Sequence, residues 1–138
     1  MTEPEDPING WYTAYCWVGV GVGAAMVLGA RPFLRAYNFT DHSPQSLHLL
    51  RLAGTRTATL GAVGLATTTP EARGRGLTAV LAWQSTDTLL SVFSDRSFTP
   101  LARALSTLTS AASAAGAAVL LHRLATPQPR PGRAHVMG

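Results

Sequence analysis

Two charged side chains sit where an apolar environment tolerates charge least. Arg56 lies about ten residues into the apolar segment 47–69, and Asp87 about ten residues into the segment 77–93. Placing either at the centre of a lipid-embedded helix costs about 2.5–3.5 kcal/mol on insertion scales, so such groups are paired or turned to a polar cavity. If the two segments are antiparallel neighbours of equal length, Arg56 and Asp87 stand at the same depth and can form a bidentate guanidinium–carboxylate pair. Two chemistries follow from that pair. It can be an internal clamp that fixes register between helices. It can also be the polar end of a small pocket, with Arg56 holding an anionic or carbonyl oxygen and Asp87 moving a proton as acid or base.

The third segment carries more polar groups on the same side. Trp83, Gln84, Asp87, Thr88 and Ser91 fall within about 100° of one another at helical spacing. Trp83 and the loop residue Tyr37 are the expected walls of the pocket, and Gln84 is a further ligand group. Other reactive residue types are scattered. His48 and His122 fall at segment ends that an up-down bundle places on opposite faces. His42 and His135 lie in loop and tail, and no H-x-x-x-H, E-x-x-H or C-x-x-C pattern occurs. A zinc or di-iron site is therefore not expected, and no cofactor is implied. The one cysteine, Cys16, excludes an intramolecular disulfide and reads as a small buried hydrophobe. The hydroxyls near the C-terminal end have no evident base, so no serine nucleophile is expected.

The elements that must position these groups are long, apolar and helical. Residues 11–30 (WYTAYCWVGVGVGAAMVLGA) contain no charge, and neither do residues 104–121. A helix of about twenty residues spans the roughly 30 Å hydrocarbon core of a bilayer. With the two interrupted segments, this gives an all-α, four-helix transmembrane bundle of up-down topology, its spans at about 11–30, 47–69, 77–93 and 101–124. The chain of 138 residues leaves room for little else: an acidic tail over 1–10 and a Pro/Arg tail over 125–138. Mean hydropathy is only +0.15, lowered by the polar ends and by spans built from Ala, Gly, Ser and Thr. Small residues are what membrane helices use to approach closely. A soluble bundle would need a charged outer face on each helix, and residues 11–30 offer none. Met1–Gly10 carries Glu3, Glu5 and Asp6 without a basic residue, so the first span is expected to be retained and not cleaved as a signal peptide.

Finer punctuation follows. Gly19, Gly23, Ala25 and Gly29 make a close-packing face on the first span, open to a neighbouring helix, a second copy or a membrane partner. Read as G-x-G-x-x-G the stretch lacks the right third glycine and a preceding strand, so no dinucleotide site is expected. Arg31-Pro32 is expected to end the first helix. Phe33, Tyr37 and Phe39 suit an interfacial segment, with room for a short amphipathic helix. Ser46 can cap the second helix, on which Gly54, Ala58 and Ala62 form an edge. PEARGRG (70–76) reads as a loop and Asp95-Arg96 as a turn. Four spans put both termini on one side, taken as cytoplasmic. All eleven basic residues are Arg; they are dispersed, which argues against a nucleic-acid surface.

The Gly54-Thr55-Arg56 step opening an Ala/Gly/Leu-rich helix, the mid-helix Asp87 and the late His122 together resemble the small four-helix membrane proteins grouped as domain of unknown function 4267. More distantly they resemble DoxX-like bundles. The resemblance covers about residues 12–124. The family pattern has an acidic residue just after the arginine, where this chain has Thr57. The resemblance implies a fold and polar positions and no particular reaction. The leading expectation is a membrane protein that binds a small apolar molecule at Arg56, Asp87, Gln84 and Trp83. The alternatives are a membrane isomerase or cyclase of a terpenoid- or polyketide-like substrate using Asp87, and an accessory subunit of a larger complex.

Overall fold

A computed structural model of the chain describes residues 7–93 and 99–126. Five helices and no strand occur among the described residues: α1 (Pro7–Leu28), α2 (Ala30–Ala36), α3 (Pro44–Ala66), α4 (Pro70–Phe93) and α5 (Pro100–Ala125). Two are long and apolar enough to cross a membrane, over Ile8–Leu28 and Pro100–Ala125. The Asp95-Arg96 turn, residues 1–6 of the acidic tail and the basic tail from residue 127 lie outside the described residues.

Each long helix opens on a proline, which loses no intrahelical bond at that position and has its φ already set for the helix. Before three of them stands a hydroxyl cap. Ser43 Oγ accepts from the Ser46 amide, Thr69 Oγ1 from Ala72 and Thr99 Oγ1 from Ala102. The cap of α3 is thus Ser43, and the expected cap Ser46 sits three residues inside. Segment 70–76 is helix and not loop, because Thr69, Pro70 and Glu71 together make a helix start. Against that, Gly74 and Gly76 cost only about 1 kcal/mol each. Likewise α1 begins at Pro7, inside the expected tail.

Arg31-Pro32 does not end the first helix. The break comes at Gly29, and both residues belong to α2. The end of α2 is a Schellman motif: the Phe39 amide donates to Leu34 O and Asn38 to Arg35 O, at 2.9 and 3.0 Å. Asn38 takes the left-handed turn, φ 58°, which asparagine tolerates better than most residues. Phe39 then packs beside Leu34 and Leu47, and Asn38 exchanges hydrogen bonds with Thr99 at the start of α5.

Packing is pairwise. α1 lies antiparallel against α3, and α4 packs closely on α5. The α1–α3 seam is closed by glycine: Gly23 faces Gly54 and Ala58, while Gly61 faces Cys16 and Val20. The edge of α3 is therefore Gly54, Ala58 and Gly61; Ala62 is exposed. On the small face of α1, Gly23 is buried against α3 within the chain, Gly19 and Gly29 are half-buried and Ala25 is exposed. The two pairs converge at one end, where Tyr12, Cys16, Leu77, Ala117 and Leu120 form a core. Tyr15 Oη donates to Ser113 O at 2.9 Å, and its ring lies over Gly116.

No polar or charged side chain is fully buried among the described residues. The exposed surface carries large apolar groups instead, among them Trp11 at 65 %, Leu28 at 86 % and Phe93 at 79 % exposure. Large apolar side chains so widely exposed are unusual on the surface of a water-soluble monomer.

Candidate functional site

Arg56 and Asp87 do meet. Arg56 Nη2 stands 3.6 Å from Asp87 Oδ2, with the side chains 44 % and 39 % exposed. The geometry differs from the buried, bidentate pair expected. α3 and α4 touch only slightly, so the two residues reach across a loose seam and meet through a single contact. On its other side the guanidinium lies over the Trp83 ring, 3.0 Å from the centroid. A cation so placed is attracted by the negative face of the indole, and Trp83 thus holds Arg56 towards the α4 side of the seam.

Beside the pair is a cavity of about 390 Å³, lined by Phe39, Ala53, Asp87, Leu90, Ser91, Ser106 and Ser110. Its walls come from the loop after α2, from α3, from α4 and from α5. The closing glycines of the α1–α3 seam and the core at the opposite end leave this part of the molecule unfilled. The polar stripe on α4 is turned inward as expected, with Trp83, Gln84, Asp87, Thr88 and Ser91 all half-buried, while Leu89, Leu90, Val92 and Phe93 are exposed.

Of the expected site residues, Asp87 alone lines the cavity. Arg56 is paired with it and lies over Trp83, but neither of these two, nor Gln84, is part of the lining. Tyr37 is elsewhere: its ring stacks on Phe33 at 4.7 Å, because Tyr37 caps the C-terminal end of α2 four residues after Phe33. The aromatic wall is Phe39, carried inward by the Schellman turn. Ser106 and Ser110 were also not expected here. Their spacing of four along α5 was the available signal, since it puts two hydroxyls on one face. Ser110 Oγ donates to Ser106 O at 2.9 Å, which leaves its oxygen lone pairs directed outward from the helix. Among the described residues, no three His, Cys, Asp or Glu side chains converge on a point where a metal could sit.

Several hydroxyls on the helices satisfy themselves locally. Thr57, Thr78, Thr86, Thr88 and Thr109 each donate to the carbonyl one turn back, an arrangement that needs no water. At the converged end, Arg73 bonds the Thr67 carbonyl and Asn9 and faces the Tyr12 ring, tying the start of α1 to the α3–α4 turn.

What the fold and site define is a small helical protein with many large apolar groups on its exterior and, between two helix pairs, a groove of mixed apolar and polar lining. No family model, curated protein or solved structure matches the chain.

Proposed function

We propose that the chain is a multi-pass membrane protein, α1, α3, α4 and α5 being its four spans, and that it binds a small, largely apolar molecule in the groove between its helix pairs. The observation that carries this is the cavity of about 390 Å³ whose lining mixes Phe39, Ala53 and Leu90 with Asp87 and three serines. Cavities of this size, mostly apolar with a few convergent polar groups, are the usual form of small-molecule sites. The apolar exterior supports the membrane reading, because large exposed apolar surfaces are rare on soluble monomers. So do the self-satisfied hydroxyls, since in lipid each polar group must find its partner within the protein. Both termini then lie on one side, taken as cytoplasmic. The resemblance to the domain of unknown function 4267 proteins implies the same architecture.

Two measurements test this. The protein should remain with membranes through a carbonate wash; release into the supernatant as a monodisperse species contradicts the membrane half. Purified in detergent, it should bind a brominated alkanol saturably, read by quenching of Trp83 in a Trp11→Phe/Trp17→Phe background. Ser106→Phe, which fills the groove, should abolish the saturable part. Quenching that is linear in probe, or unchanged by Ser106→Phe, contradicts the binding half.

One observation favours a second reading. Asp87 is open to the cavity and not sealed against Arg56. In this reading the protein is an isomerase or cyclase of a terpenoid- or polyketide-like substrate, with the Asp87 carboxylate taking a proton from carbon and returning one. Deuterium uptake from D2O into an added isoprenoid, lost in Asp87→Asn, would support it. Binding without exchange leaves the first reading.

A further inference from the structure

We infer that the groove selects the head group of its ligand: it takes a neutral amphiphile ending in a hydroxyl, and discriminates against carboxylate and ammonium heads. This rests on the groove being a binding site at all. The reason lies in which half of the ion pair faces the cavity. Asp87 lines it and Arg56 does not; the guanidinium stands outside the lining, against Asp87 at 3.6 Å and over the face of Trp83. A ligand entering the cavity therefore meets the acceptor end of the pair, with serine hydroxyls from α4 and α5 around it.

Each kind of head group can be weighed against that arrangement. A carboxylate would approach Asp87 as a like charge, and among the described residues no cation lines the cavity to offset it. An ammonium would be attracted to Asp87, but only by competing with Arg56. Among the described residues Asp87 is the one acidic partner of Arg56, so displacement leaves a partly desolvated guanidinium unmatched. A hydroxyl has neither difficulty. It donates to the Asp87 carboxylate, whose oxygens have capacity for further donors, and its own oxygen can accept from a serine. The pair stays intact and the site stays neutral.

Size and lining set the rest of the molecule. A volume of about 390 Å³ equals roughly a dozen water-sized units, enough for a head and a short apolar body. Leu90, which lines the cavity, is also 65 % exposed on the apolar exterior. The cavity therefore continues onto the face that would meet lipid, and a longer tail can leave by that side.

The test compares three amphiphiles with the same brominated eleven-carbon chain, ending in an alcohol, a carboxylate or an amine. Binding is read as saturable quenching of Trp83 in the Trp11→Phe/Trp17→Phe protein, both replaced residues being exposed on the outside of α1. Native mass spectrometry of the unsubstituted protein with the same three compounds gives an independent ranking should that variant fold poorly. The alcohol should bind at least about tenfold more tightly than either charged compound, a difference of about 1.4 kcal/mol. In the double variant Arg56→Met/Asp87→Leu, which removes the pair without leaving a lone charge, the preference should fall to about twofold or less. Equal binding of all three, or tighter binding of the carboxylate, overturns the head-group inference while leaving the groove as a site. A preference that survives the double variant overturns the role of the pair. Absence of saturable binding by any of the three removes the site itself, and the inference with it.

Discussion

Two glycines on α1, two residues apart, should respond oppositely to the same added methyl group. A Cβ built on Gly23 would stand 2.4 Å from the Ala58 amide nitrogen, 2.5 Å from the Gly54 carbonyl oxygen and 2.7 Å from Ala58 Cβ, where ordinary contact begins at 3.4 Å. The obstructing atoms are backbone or Cβ, so no rotamer change relieves the clash. α1 and α3 must separate by about 1 Å, loosening every contact along the seam, and overpacking of this kind costs about 1–3 kcal/mol. A Cβ on Gly21 meets nothing within 4 Å. There the methyl only raises helix propensity, by up to about 1 kcal/mol. Both substitutions gain that propensity and only Gly23→Ala meets the clash, so Gly23→Ala should lie about 1–3 kcal/mol below Gly21→Ala in stability.

The protein carries its own reporter of this seam. Cys16 is its one cysteine, is buried, and its Sγ lies against Gly64 of α3. Under native conditions, maleimide labelling of Cys16 measures how often the α1–α3 seam opens. A loss of about 1–3 kcal/mol should speed labelling in Gly23→Ala about 5- to 150-fold, while Gly21→Ala should label no faster than the parent. If both variants label alike, α1 does not dock on α3 through Gly23, and the description of that seam is wrong.

Other perturbations test the ends and the centre. A double-mutant cycle on Arg56→Met and Asp87→Leu should give a coupling of about 1 kcal/mol or less, because the pair is half-open and joined by one contact; coupling of several kcal/mol would indicate a dry, sealed pair. Reporter fusions at Thr2 and Gly138 should read the same compartment, and opposite readouts would mean that one of α3 and α4 does not cross. Hydrogen bonds from Ser46 and Ser43 hold the Asp41 carboxyl below the usual carboxylate range. A group depressed in the folded state contributes stability above its unfolded pKa of about 4, lost as pH falls through the folded value. Amide exchange at Ser46 and Leu47 should therefore accelerate in acid, and Asp41→Asn should flatten that dependence; equal acid sensitivity in the variant would count against it.

Local features of the fold were legible in the sequence, and partnerships were less so. The apolar runs at 11–30 and 104–121 announce α1 and α5, since their composition alone excludes a solvated helix. The approach of Arg56 to Asp87 was likewise readable, because depth along two antiparallel helices is set by residue count. Which helices press together is another matter. It depends on two small faces matching in register, and a one-residue drift changes the match: the edge that begins Gly54, Ala58 continues to Gly61 and not Ala62, following the three- and four-residue alternation of a helix face. The site was missed in the same way. Phe39 enters the groove because Asn38 adopts a left-handed turn, and no periodicity in the sequence marks that.

The groove itself follows from where small residues run out. Glycine lets α1 and α3 approach at backbone distance, and Ala117 with Gly116 lets α5 meet Tyr12 and Tyr15 at the converged end. Facing α3 across the seam, α4 presents Trp83, Gln84 and Asp87 instead of small residues, and helices bearing such side chains cannot close to the same separation. Arg56, reaching over to Asp87 and Trp83, props the seam where it also links it. Shortening the prop should therefore change the cavity more than the fold. With Arg56→Met/Asp87→Leu the pairs α1–α3 and α4–α5 keep their own contacts, while the space between them loses both its charge and the residue that spans it.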